Sequence, residues 1–450
     1  MLCPSRMSKA AGNTGSGAKG FGPANYIKIT VLGFALAALW SSLHTIVIPL
    51  RLLDFVAEDQ KNTYLGILLG TGLILAMVVQ PIAGAISDRA GFRWGRRRPY
   101  ILLGVSLTIL FLPGIGLFGS YTALFITYCL LQISANTALG PYQAFIPDLV
   151  PESQRGRASG VKTLLEFAGG LVVVRLIAYL MDRCLAEPAG PWLGYTLAIL
   201  GASLAATMLV TILTVKERPG TGSAQFPLLP TLKRSFRIDA RLNRDFVWFL
   251  VSRLLVLLAF STLQKFALYF LMDVVGITSP AAVTADLLIA VGVGMLVMVY
   301  PAGRLSDKLD RRLIIIISGL VGALGMLLLL FSQSYVYIML CGAILGLSFG
   351  AFMSANWALA TDLVAKGEEA RYLGLTNLAT AGGSALTLFI IGPLIDLFNT
   401  HHPGLGYRMM FLVCLVCLVA GSLLVLKIKG RSQPGNTSGQ PQAPASAAPI

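Results

Sequence analysis

Long apolar runs separated by short polar loops leave this chain of 450 residues few ways to fold. A helix that crosses a bilayer needs about 20 mostly apolar residues. Twelve runs reach that length, near residues 27–50, 63–86, 99–119, 122–147, 158–182, 193–215, 246–272, 283–303, 313–332, 335–360, 371–397 and 406–427. Charged residues make up 12% of the chain, against about 25% in soluble domains. The two or three soluble domains that length alone would allow are thereby excluded. Only helices and closed barrels satisfy their backbone in lipid, and these runs are too long and too continuously apolar for barrel strands. The sequence predicts an all-α integral membrane protein of twelve transmembrane helices, with the lipid bilayer as its first partner.

The formal charge of +15 is then a topology signal and not a nucleic-acid signal. With the N-terminus placed in the cytoplasm, 28 of the 35 lysines and arginines fall on the cytoplasmic side. Arg51, Lys61, Arg183 and Arg408 fall opposite, and Arg175, Arg253 and Lys265 lie within helices. Positive residues stay inside, so a multi-pass protein of the cell membrane with both termini cytoplasmic is expected. The six cysteines form no framework; Cys414 and Cys417 have C-x-x-C spacing but sit in an apolar helix and read as small buried hydrophobes. Residues 1–25 lack the apolar core of a signal peptide, so the first helix would direct insertion.

The chain divides into a flexible cytoplasmic tail (1–26), six helices (27–215), a basic linker (216–245), six more helices (246–427) and a disordered tail (428–450). The linker holds Lys233, Arg234, Arg237, Arg241 and Arg244, suited to anionic lipid headgroups. The two halves are copies. GAISDRAGFRWGRRRPYIL, Gly84 to Leu102, is matched more weakly by AGRLSDKLDRRLIIII at Ala302 to Ile317, with Asp88 and Asp307 219 residues apart. PDLVPESQRGRASG aligns with TDLVAKGEEARYLG at an offset of 214, pairing Asp148 with Asp362, Arg157 with Arg371 and Gly160 with Gly374. Two pseudo-symmetric six-helix bundles of this kind bind their solute between them, near the bilayer middle.

These loops resemble the major facilitator superfamily over the whole helical region. Gly84, Asp88, Arg89, Gly91 and Arg96–Arg98 look like its signature loop between helices 2 and 3. Arg93-Trp94-Gly95-Arg96-Arg97-Arg98-Pro99 further resembles the loop of sucrose:proton symporters and the glycoside–pentoside–hexuronide group. The resemblance implies a cytoplasmic latch. Asp88, with Arg89, Arg96, Arg97, Arg98 and Asp148, would face the start of helix 11 near Arg371; Asp307 and Arg311, with Asp362, would face helix 5 near Arg157. Such a latch forms only when the cytoplasmic side is closed. The simpler alternative is that these charges only set topology. Melibiose-type members use acidic residues of helices 1 and 2 for sugar and sodium, yet Thr63 to Ser87 has no Asp or Glu and helix 1 none before Asp54. Proton coupling or facilitated movement is expected instead.

Ionisable groups inside a membrane are functional candidates by default. Glu166 of helix 5 stands four residues from Lys162. It is either half of a structural pair or a proton-titrating carboxylate facing a cavity, with Gly169 and Gly170 beside it allowing close approach. His44 of helix 1 is a second candidate proton relay, or a satisfied structural donor. Trp40 could stack on a sugar face. Gln132, Asn136 and Gln143 of helix 4, Asn356 and Trp357 of helix 10, and Asn377 of helix 11 suit a polyhydroxyl ligand, though helix-packing contacts use the same residues. Arg175 and Arg253 could hold a carboxylate. Lys265 and Asp286, near outer helix ends, are expected to snorkel.

The leading reading is a monomeric secondary active transporter using alternating access, a proton-coupled symporter for a sugar or similar small polar solute. An exporter of amphipathic compounds is the alternative. An ATP-driven pump or membrane enzyme is disfavoured: Gly12 and Gly17 have Walker-like spacing, but Ala18 stands where the Lys is required and no strand precedes them. No H-E-x-x-H occurs, and His401–His402 read as solvated, so no metal or cofactor is expected.

Overall fold

The computed structural model describes residues 22–217, 244–306, 308–332, 334–363 and 369–428, with the backbone alone at 369–374 and 378. Most of the two tails and of the basic linker, and Asp307, lie outside the described residues.

Among the described residues, twelve helices are long and apolar enough to cross a membrane, each containing one of the predicted runs or most of it. They are α1 (Pro23–Leu52), α2 (Glu58–Asp88), α3 (Arg98–Leu117), α4 (Tyr121–Leu149), α5 (Glu152–Ala186) and α6 (Trp192–Thr214), then α7 (Arg244–Val275), α8 (Pro280–Ser306), α9 (Arg311–Leu330), α10 (Tyr335–Leu363), α11 (Glu369–Asn399) and α12 (Leu405–Lys427). An even number of passes returns the chain to the side it began on. We call this the terminal side, and the other the far side.

Each half closes on itself before meeting the other. In the first, α1 packs on α5 and α6, and α4 on α2 and α3; in the second, α7 packs on α11 and α12, and α10 on α8 and α9. Small residues set the closest approaches, as expected where lipid supplies no hydrophobic drive between helices. A methyl group at Gly169 of α5 would overlap the carbonyl of Phe34 on α1, and one at Gly383 of α11 would meet the carbonyl oxygen of Leu254 on α7 at 2.9 Å. Gly169 and Gly383 are 214 residues apart, so the internal repeat extends to its helix crossings. The halves then join along two seams, α2 against α11 and α5 against α8. α1 and α5 each contain one π-helical turn, Leu43–Val47 and Gly169–Val173, a local widening often found at functional positions.

Candidate functional site

A cavity of 450 Å³ lies between the halves, within the roughly 300–1,000 Å³ range of small-molecule sites. Its polar lining comes from Ser41 of α1, Thr163 and Glu166 of α5, Ser261 and Gln264 of α7, Thr284 of α8, and Thr380 and Ser384 of α11. Phe167, Phe260 and Phe349 supply aromatic wall. Hydroxyls and an amide among aromatic faces can hold a small solute with a few directional bonds and an apolar contact.

Glu166 is both paired and placed on the cavity. Lys162 Nζ lies 3.1 Å from Glu166 Oε1, and the carboxylate also lines the cavity. The 214-residue offset places Thr380 at the equivalent position in the second half. There the charge is reversed and comes from a different helix: Arg253 of α7 donates from Nε to Thr380 Oγ1 at 3.1 Å and from Nη1 to Asn356 Oδ1. Arg253 is only 2% exposed and Asn356 is fully buried, with its Nδ2 left without a partner among the described residues. Arg253 and Asn356 therefore lie behind the cavity lining, and Arg253 is joined to it through Thr380.

His44, Gln132 and Asn136 form a different structure. Gln132 donates to Tyr128 Oη at 2.6 Å, and Tyr128 Oη lies 2.9 Å from His44 Nε2, which Gln132 Nε2 also approaches at 3.3 Å. Two donors converging on Nε2 make it an acceptor, which assigns the ring proton of a neutral imidazole to Nδ1. Asn136 donates to Gln132 Oε1 at 3.0 Å, and Trp40 stacks on the imidazole with centroids 5.0 Å apart. This network ties α1 to α4 and is not part of the cavity lining. Gln143 pairs with Gln80 at 2.8 Å; Trp357 and Asn377 are exposed and also outside the lining.

The far side is held by two carboxylates that sequence reasoning passed over. Asp396 of α11 accepts from the backbone N–H of Asn62 at 3.3 Å, that of Thr63 at 2.6 Å and the Asn62 side-chain amide at 2.8 Å. Asp182 of α5 accepts from the backbone N–H of Ala281 at 3.0 Å and of Ala282 at 2.8 Å. Each carboxylate satisfies free N–H groups in the first turn of a helix of the other half and sits at its positive end. The two caps are symmetry mates: Asp182 and Asp396 are 214 residues apart, and Asn62 and Ala281 are 219 apart. Those offsets already related Asp148 to Asp362 and Asp88 to Asp307, so the signal was present in the sequence.

Each seam has its own reinforcement. On the α2–α11 side, Lys61 Nζ pairs with Asp273 of α7 at 2.7 Å, and Tyr407 donates to the same carboxylate at 2.6 Å. On the α5–α8 side, Arg175 pairs with Asp286 at 2.7 Å, and Tyr335 donates to Asp286 at 3.2 Å. Two expectations are corrected here. Arg175 is committed to a bond between the halves instead of standing free for a solute. Asp286 does not snorkel, because a guanidinium and a phenol hold it.

On the terminal side the following charged pairs bond within their own half. Arg96 pairs with Asp148 at 2.7 Å, which raises the guanidinium above its ordinary value. Arg97, 4% exposed, reaches Asp88, Asp148 at 3.1 Å and Ser87 Oγ at 2.6 Å. Its backbone N–H donates to Glu217 at 2.9 Å, and burial pushes the Glu217 carboxyl up. Gly95 turns the loop at φ 111°, a left-handed conformation that favours glycine. Arg98 donates to the carbonyls of Trp94, at 3.1 Å, and Ile212. Arg89 follows the last turn of α2. In the second half, Arg311 bonds Asp362 and the carbonyl of Ala358, the latter at 2.6 Å. Arg157 is exposed on α5, whereas Asp307 and the side chain of Arg371 lie outside the described residues.

The family described as MFS/sugar transport protein matches residues 31–432. Sucrose transport protein SUT1 of Oryza sativa subsp. japonica is 30% identical over 188 residues, 35% of this chain and 35% of its own. The match thus spans about a third of that relative's length. The uncharacterized symporter YnaJ of Bacillus subtilis (strain 168) is 29% identical over 386 residues, 79% of this chain and 80% of its own. Among solved structures, a bacterial homolog of the human lysosomal transporter Spinster, inward-facing and unoccupied, superposes with a TM-score of 0.72 at 19% identity, covering 93% of this chain and 100% of that one. A D-xylose-proton symporter gives 0.67 at 18% identity, covering 90% and 97%. At these identities the structural likeness is one of fold.

Proposed function

Since the chain belongs to the MFS/sugar transport protein family, we propose that it is a secondary transporter that moves a sugar or similar small polar solute through the cavity by alternating access. One observation carries this reading: the far-side carboxylates Asp182, Asp273, Asp286 and Asp396 bond across the halves, while the terminal-side pairs described above bond within them. A rocking transporter open toward the terminal side has this arrangement. The positive-inside rule makes that side the cytoplasm, so the state is the one that exchanges solute with the cell interior. In the opposite state Asp88 and Arg311 would reach across the terminal side and the two far-side caps would part.

Coupling to protons is the finer part of the proposal, and Glu166 is its carrier. Facing the cavity beside Lys162, the carboxylate can take a proton when solute arrives and release it when Lys162 approaches. His44 is the weaker candidate, because both donors at Nε2 hold it neutral in this state. The test uses proteoliposomes under an imposed proton gradient. Glu166→Gln is expected to abolish gradient-driven accumulation of the sugar while sparing equilibrium counterflow; unaltered accumulation would remove Glu166 from coupling. The wall of Phe167, Phe260 and Phe349 favours a second reading, export of amphipathic compounds. Efflux of a hydrophobic dye, with no response to sugars, would select it.

A further inference from the structure

Arg253 is a buried cation surrounded by neutral groups. Its named partners are a hydroxyl and an amide oxygen, and no carboxylate pairs with it among the described residues. An unpaired charge at such a place is costly unless a counter-charge arrives. Asn356 adds to the imbalance: its Oδ1 is used by Arg253, whereas its buried Nδ2 has a proton to donate and no acceptor among the described residues. Thr380, which the guanidinium holds, lines the cavity. Lys162 and Glu166 pair with each other, so Arg253 remains an uncompensated charge behind Thr380. What is missing is an acceptor carrying negative charge.

We infer that Arg253, Asn356 and Thr380 form an anion site on the α7–α10–α11 wall, and that the solute presents a carboxylate to it. The inference rests on the proposed use of the cavity as the solute path and narrows the class of solute. Arg253 Nη2 and Asn356 Nδ2, which bond no other described residue, suit the two oxygens of a carboxylate. Thr380 holds the guanidinium in place by accepting from it and donating to the Thr376 carbonyl. The hydroxyls of Ser261 and Ser384 with the Gln264 amide suit the rest of a polyol chain. An uncharged sugar could use those groups but would leave Arg253 without its counter-charge.

The test is thermal unfolding of the purified full-length protein with gluconate, glucuronate or lactate as sodium salts, each compared with glucose at constant ionic strength. At least one carboxylate is expected to raise the melting temperature saturably and more than glucose does. Arg253→Gln should then raise its half-saturating concentration by at least about 30-fold, the usual effect of removing one partner of a buried charge contact. Thr380→Val and Asn356→Leu should weaken it less, and Arg253→Lys should recover part. If Arg253→Gln does not fold, the Thr380 and Asn356 variants decide. No selective shift with any of the three acids overturns the site, as does a shift that none of these variants weakens. Ser384→Trp, which fills the cavity, separates the two levels. A glucose shift lost in that variant, with no carboxylate effect, keeps the cavity and removes the anion site. A carboxylate shift that survives Ser384→Trp but not Arg253→Gln keeps the anion site and removes the cavity as the path.

Discussion

The two seams between the halves use one device and reinforce it differently. At each, a carboxylate near the end of one helix caps the first turn of a helix from the other half. On the α2–α11 seam, Asp396 takes three N–H donors, and glycines bring the helices together: a methyl group at Gly66 would overlap the carbonyl of Leu388, and one at Gly392 that of Asn62. On the α5–α8 seam, Asp182 takes two N–H donors and the Arg175–Asp286 pair stands beside it. The α2–α11 seam adds close backbone packing and the well-buried Lys61–Asp273 pair, whereas the α5–α8 seam adds the more exposed Arg175–Asp286 pair. Duplication explains the shared cap, and divergence after it explains the different supports.

That contrast can be broken in a definite order. Replacing both caps, Asp182→Asn with Asp396→Asn, should have the largest effect. Each substitution keeps one acceptor oxygen but removes the negative charge at the helix N-terminus, worth about 0.3–2 kcal/mol. The two together should move the balance between access states by roughly 0.6–4 kcal/mol toward a far-side-open form. Rapid far-side labelling of a cysteine placed in the cavity, Ser384→Cys, would read this. Next comes Asp396→Asn alone, which should open the far side more than Asp182→Asn alone, because Asp396 takes three donors and Asp182 two, while an ion pair stays on each seam. Equal effects would mean that the third donor adds nothing. Third, Arg175→Gln should be nearly silent alone but should enhance Asp182→Asn. The pair is half exposed, so about 0.5 kcal/mol or less is expected in the single variant.

The terminal side supplies the smallest effect. Glu217 is raised by burial, so the folded protein holds its proton better than the unfolded chain does. Its contribution to stability is present at low pH and declines as pH rises through the ordinary glutamate range. Asp310 is lowered by its hydrogen bond to Arg312, and its contribution appears above the ordinary aspartate range and is lost as pH falls. Glu217→Gln should therefore flatten a downward slope in melting temperature that begins near the ordinary glutamate value of about 4.3, and Asp310→Asn an upward slope at lower pH. Slopes of the same sign would contradict the assignment.

Much of the fold was legible because lipid permits so few solutions. Run length gave the helices, and the loops around Asp88 and Asp148 gave the repeat. The far-side gate was readable only by half. Asp182 and Asp396 obey the visible 214-residue offset, but Ala281 and Ala282 contribute backbone N–H groups that no side chain advertises. Composition also could not say which way a polar face turns. Gln132, Asn136 and Trp40 have the chemistry of a sugar site, yet they satisfy one another and His44. Thr380 and Ser384 look like ordinary helix residues and line the cavity. The proximity of Arg253 to Thr380 and Asn356 spans 127 and 103 residues of sequence, beyond any local pattern.

The most direct test of alternating access is a distance distribution across the far side. Spin labels at Glu58→Cys and Thr400→Cys, both exposed far-side positions, would be placed in a variant whose six cysteines are replaced. With both caps intact, one short population should dominate. With Asp182→Asn and Asp396→Asn together, a second, longer population should appear, and a label pair on the terminal side should shorten in the same variant. An unchanged far-side distribution in a folded double variant would contradict the role given to the caps.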